Sequence, residues 1–165
     1  HLPDGRADYS HLARFYTTTD LTPDQIHEIG NKEVARVKAE MEKEMAASGF
    51  KGALPMFLQF LRTDPQFYVG SREILMEKSA RIAKRADNEL PRLFGKMPRL
   101  PYGVREVPRD IEENYTSARY NPGSPQLGIS GGLMVNTSHL DQRPLYEHPA
   151  LMLHEGVPGE HHHHR

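Results

Sequence analysis

The sequence predicts an α+β fold that is predominantly α-helical: packed helices, a small antiparallel sheet, and a candidate active-site helix at the C-terminus. Three observations predict it. Apolar residues recur at helical spacing through the first half. A cluster of Pro and Gly in "LPRLFGKMPRLPYG" then forbids a regular element. Beyond it, "YGVREV" and "GLMVNT" are short runs rich in β-forming residues. We read residues 1–159 as a single partial domain, helical over about 1–95 and mixed over about 96–159. Residues 160–165, "EHHHHR", resemble a purification tag or non-native tail.

The first long helix is announced by "DLTPDQ", where Thr22 is the expected N-cap, Pro23 suits the first helical position and Asp24 complements the helix dipole. Ile26, Ile29, Val34, Val37, Met41 and Met45 then form one apolar stripe up to Gly49. A short helix follows over "LPMFLQFLRT", and a third starts near Ser71. Ile74, Leu75, Ile82, Ala86 and Leu90 make its expected buried face, and Pro91 is expected to end or kink it. The two strands are separated by "YNPGSPQLGISGG", too rich in Pro and Gly for anything but a loop. Pro144 begins the last helix, "PLYEHPALMLHEG".

The chain has 165 residues, 37% hydrophobic and 26% charged, the balance of a globular domain with a real core. A formal charge of -1 provides no basic face for nucleic acid. With no Cys, any metal must be held by His, Asp or Glu. No apolar stretch approaches the roughly 18 residues of a membrane span. The N-terminus "HLPDGRADYS" has neither a Met start nor a signal-peptide pattern, so we expect the chain to begin inside a longer protein.

The last helix carries "LMLHEGVPGEHHHHR". In the pattern His-Glu-x-x-His, two His one turn apart bind zinc while the Glu acts on the metal-bound water. Here Pro158 occupies the second His position, so the simple pattern fails. On spacing alone, a histidine satisfied within a core is the commoner reading of such a His154–Glu155 pair.

The wider run shifts the balance towards the metal reading, through a resemblance. "RPLYEHPALMLHEGVPG", "RYNPGSPQLGISGGLMVNT", "LPRLFGKMPRLPYGV", "DGRADYSHLARFYTTTDLTPDQIHEIG" and "FLRTDPQFY" together resemble the bacterial DUF885 family. Its members are similar to gluzincin-type zinc metallopeptidases and carry a signature close to His-Glu-x-x-Pro-Gly-His-His. The resemblance covers nearly all of residues 1–159. It implies that His154 is the first zinc ligand and that Glu155 is the general base. The two positions after Pro-Gly are His and His in the family, where this chain has Glu160 and His161. If Glu160 is native, His161 follows His154 by seven residues and is the candidate second ligand; if the native sequence stops at Gly159, His161 to His164 carry no native meaning. The family's acidic third ligand lies in a stretch resembling Glu-Gly-Trp-Ala-Leu-Tyr, and this chain has no Trp, so that ligand is expected outside it.

The resemblance thus implies a fragment of a zinc-dependent peptidase-like hydrolase that cleaves peptide or amide bonds with metal-activated water. The fragment alone is expected to be inactive, and its partners to be a peptide substrate and the remainder of the full-length protein. The alternative is a non-catalytic binding or assembly module of the same fold. The residues fix no location, while the resemblance leans towards a periplasmic or lipid-anchored protein.

Other candidates come from the second half. Arg119, Tyr120 and Asn121, with Tyr115 nearby, offer a guanidinium fork and phenolic donors for a substrate carboxylate or an oxyanion; loop packing is the alternative. Gly131 and Gly132 open a strand expected to lie at a sheet edge, where it would align an extended peptide beside His154; an ordinary structural strand is the alternative. Glu147, two turns before His154, is a candidate acceptor orienting that imidazole, with a solvated Glu as the commoner alternative. His148 lies off the His154 face and reads as structural or surface.

Overall fold

A computed structural model describes residues 3–163, so His164 and Arg165 of the terminal run lie outside the described residues. The chain divides into two compact units, residues 1–60 and 61–165. The boundary does not fall at the change of sequence character near residue 95, because the helix before that point belongs with the sheet after it.

The first unit is helical. Helix α1 spans Gly5–Thr17, α2 spans Pro23–Ala47, and α3, Leu54–Thr63, begins within it. Helix α2 starts as expected: Thr22 Oγ1 accepts from the Gln25 amide at 3.2 Å and Gln25 Oε1 accepts from the Thr22 amide at 2.8 Å, a reciprocal capping box. Its outer face is laced by Arg36, which donates to Glu33 and Glu40. Its apolar stripe is largely uncovered: Val34 is 69% exposed, and Ile29, Val37 and Met41 are also exposed. Phe50, Phe57 and Phe60 form a small aromatic cluster.

Helix α1 is absent from the sequence expectation. Its N-cap, Asp4, is left-handed and makes no side-chain cap, and none of its residues is buried. Neither a start signal nor a core-facing stripe was therefore there to be read.

The second unit holds the core. Helix α4 spans Arg72–Leu93, with Ser71 accepting from the Ile74 amide as N-cap. Its buried face is Leu75, Ser79, Ala83 and Leu90, while Ile74 is exposed, a rotation of the expected stripe. Pro91 does not end the helix; it sits inside the last turn, and the helix runs on to Leu93.

Strands β1 (Tyr102–Glu106), β2 (Ala118–Asn121) and β3 (Gly131–Val135) form one sheet in the order β1-β3-β2. The sheet is mixed rather than antiparallel: β3 runs antiparallel to β2 and parallel to β1. The α+β, mainly helical class holds. The mixed topology follows from β2, a four-residue strand hidden in "SARYNP" and too short to show alternation. By taking the antiparallel side of β3, it leaves β1 the other side.

Leu133 and Val135 of β3 pack with Leu75 of α4, Val69, Ala118 and Met152 as the core cluster. Beside it lies a polar staple. Arg72 donates to both carboxylate oxygens of the buried Glu112 at 2.7 and 2.6 Å and to Thr137, and buried Asn136 donates to the Glu112 and Tyr115 carbonyls. The guanidinium holds the Glu112 carboxyl below its usual range.

The last helix is shorter than predicted. Residues 144–147 form turns, and α5 spans His148–Glu155 with Pro149 in its first turn. After a turn, α6 covers Glu160–His163. Among the described residues, no helix is long and apolar enough to cross a membrane.

Candidate functional site

Helix α5 packs against α4 on one side and β2 on the other. Its core face is His148 and Met152, both buried. His148 is structural: its Nε2 lies 2.7 Å from Ser79 Oγ of α4, and burial, with Arg143 adding to it, pushes the imidazole below the ordinary histidine range. His154 stands exposed on the outer side of the same helix, and Glu155 is half-buried.

Tyr120 joins the two halves of the motif. Its backbone amide donates to Glu155 Oε2 at 2.9 Å, and its hydroxyl lies 2.7 Å from His161 Nδ1. The imidazole of His161 is buried and packs between the rings of Tyr102 and Tyr120, at centroid distances of 4.5 and 5.4 Å. Burial lowers its pKa, while the Leu100 carbonyl pulls the other way. Burial likewise raises the Tyr120 phenol, so at neutral pH both partners are uncharged.

Two glycines make this arrangement possible. A Cβ on Gly131 would overlap the Tyr120 hydroxyl, so the bare backbone of β3 is what seats the ring. A Cβ on Gly159 would overlap the His154 carbonyl, because the turn after α5 doubles back on the helix end. In that turn the Gly159 amide donates to the Leu153 carbonyl and the His161 amide to the Gly156 carbonyl, both at 3.0 Å, and the Val157–Pro158 peptide is cis. His154 and His161 are therefore not on one continuous helix, and their seven-residue spacing does not place them on one face.

The other predicted residues are distributed over β2, β3 and the start of α5. Gly131 and Gly132 lie on the central strand of the sheet, with β1 and β2 filling both sides, so β3 is no edge for a peptide. Its burial on both faces explains its apolar character. The strand beside α5 is β2, on which Arg119 and Asn121 are exposed while Tyr120 turns inward, the alternation of a pleated strand. Glu147 is the exposed N-cap of α5, and no hydrogen bond joins it to His154 among the described residues.

Among the described residues, no group of three His, Cys, Asp or Glu is placed to hold a metal. The donor types suit zinc, but they amount to two imidazoles, and Nδ1 of His161 is engaged by Tyr120. The described residues therefore do not compose a catalytic zinc site by themselves.

Fold and site together define an α+β domain whose last two helices are tied to a mixed sheet through Tyr120, with Tyr102 packed beside it. The chain belongs to the DUF885 family, described as bacterial protein of unknown function, whose model matches residues 1–165. It is similar in structure to a crystallised protein described as "the putative lipoprotein from Colwellia psychrerythraea", with a TM-score of 0.85 and 25% identity. The match covers 96% of this chain and 28% of that one, so the chain spans little more than a quarter of that relative's length. No curated protein matches.

Proposed function

We propose that this chain is part of a zinc-dependent, peptidase-like hydrolase acting on peptide or amide bonds. The observation that carries the reading is the pair His154–Glu155 at the end of α5, with the Glu155 carboxylate fixed by the Tyr120 amide at 2.9 Å. Membership of DUF885 and the signature resemblance support it. His154 would be a ligand and His161 a second, with the third from the rest of the longer protein. The ion would supply a polarised water.

This chain's own contribution is Glu155 as proton acceptor. One carboxylate oxygen is held by Tyr120, which leaves the other to take and return the proton. The exposed Arg119 and Asn121 of the adjacent strand β2 are the groups for a peptide's polar ends. The likeness to the Colwellia protein supports an exported, lipid-anchored parent.

The engagement of His161 by Tyr120 favours a second reading, a non-catalytic binding or assembly module. Glu155→Gln in the longer protein separates the two. The hydrolase reading expects release of free amines from a mixture of short peptides to fall by at least about a hundredfold, with metal content unchanged. Undiminished turnover would remove Glu155 from the chemistry.

A further inference from the structure

Between the C-terminal half of α4 and helix α5 lies an open groove of ≈ 1020 Å³. Its apolar wall includes Leu93, 69% exposed, Leu153, 39% exposed, and Pro149 and Pro158. Along α4 it is bordered by Arg81, Lys84, Arg85 and Arg92, with Glu89 as the single acidic lining residue. Arg92 is paired to Glu89 at 2.7 Å, and Lys84 lies 3.6 Å from Asp87. Among the described residues, Arg81 and Arg85 have no carboxylate within ion-pair distance; one turn apart, they present two uncompensated charges beside an apolar trough. They also border the neighbouring hollow with Lys78 and Ile82, so the basic stripe continues along α4.

We propose that this groove seats a helix from the remainder of the longer protein, apolar on one face and carrying Asp or Glu towards Arg81 and Arg85. Two packed helices offer the standard seat for a third, whose ridges fill the trough between them. From Arg81 to Leu93 the wall runs about 18 Å at the α-helical rise, room for roughly three turns. The matched stretch is 28% of the solved relative, so that protein carries much further chain outside it, and a longer parent of the same kind has chain available to fill the groove. Exposed leucines framed by unpaired arginines match an amphipathic, acidic occupant better than a solvated surface. Because Pro149, Leu153 and Pro158 belong to α5 and its following turn, docking would also clamp the helix that carries His154 and Glu155. The inference stands whether or not the protein is a hydrolase.

Thiol protection in the longer protein tests it, in a background with every other cysteine removed. Leu93→Cys and Leu153→Cys are each labelled with a small maleimide, natively and in denaturant, and each variant is accepted when it melts cooperatively like the parent. We expect native labelling at least about a hundredfold slower than denatured labelling at both positions. We also expect it to be independent of protein concentration. Adding Arg81→Glu and Arg85→Glu should speed native labelling at least severalfold. Native rates equal to denatured rates would show an open groove and overturn the proposal. Protection that vanishes on dilution would assign the groove to a second copy and overturn it as well. Protection untouched by the charge reversals would overturn the acidic character of the occupant.

Discussion

Tyr120 holds the terminal motif through two different atoms, its amide on Glu155 and its hydroxyl on His161, and the two contacts are separable by mutation. Tyr120→Phe removes only the second; a hydrogen bond of this kind contributes about 1 kcal/mol, so a small fall in melting temperature is expected. Gly131→Ala is expected to cost more, about 1–3 kcal/mol, because its Cβ meets the hydroxyl in a packed interior. Thermal melts of both variants check the order, and a Gly131→Ala variant as stable as the parent would contradict it. His148 contributes to the pH response. Burial lowers its folded-state pKa below the unfolded value of about 6.5, so the unfolded chain takes up a proton first. The His148 contribution to stability is therefore fully present above about pH 6.5 and declines as pH falls below it. His161 is shifted in the same sense. Melting temperature should drop between pH 7 and 5, and His148→Gln should flatten that drop in part. The sequence singles out His154 and Glu155 because they are neighbours within one signature. The tie to Tyr120 is not legible there, because its partners lie 35 and 41 residues away and come together only through the pairing of β2 with β3.

At the scale of elements, what was legible tracks how local the determining signal is. The start of α2 is set by Thr22, Pro23 and Gln25 within four residues, and it formed where expected. Thr22→Ala should cost about 1 kcal/mol and reduce helicity in circular dichroism, since it removes the acceptor for the Gln25 amide. Unchanged helicity and melting would show that α2 does not depend on its cap. Ser71 and helix α4 follow the same logic. Helix α1 lacks both cap and buried stripe, and β2 lacks length, so neither announced itself. The topology of β3 was out of reach for a related reason. Residues in a central strand and in a half-buried edge strand can carry the same apolar letters, and only the neighbours on either side decide which it is.

For the whole molecule, the two units differ in how much core they hold. No residue of α1, α2 or α3 is buried, whereas the second unit closes a core around Leu75, Leu133, Val135 and Met152. Exposed apolar residues on α1 and α2, such as Phe15, Tyr16 and Val34, accord with a chain that spans 28% of its solved relative. Under the proposed zinc chemistry the motif would supply His154 and His161, and among the described residues no group of three candidate ligands comes together, where a catalytic zinc needs three protein ligands. The central claim is thus that the longer protein completes a zinc site around His154. It is tested most directly by measuring zinc per chain in the longer protein, free of any added His tag, beside its His154→Ala variant. The account predicts one tightly held zinc per chain in the parent and its loss in the variant. A parent without tightly bound zinc, or a variant that keeps it, would contradict the account.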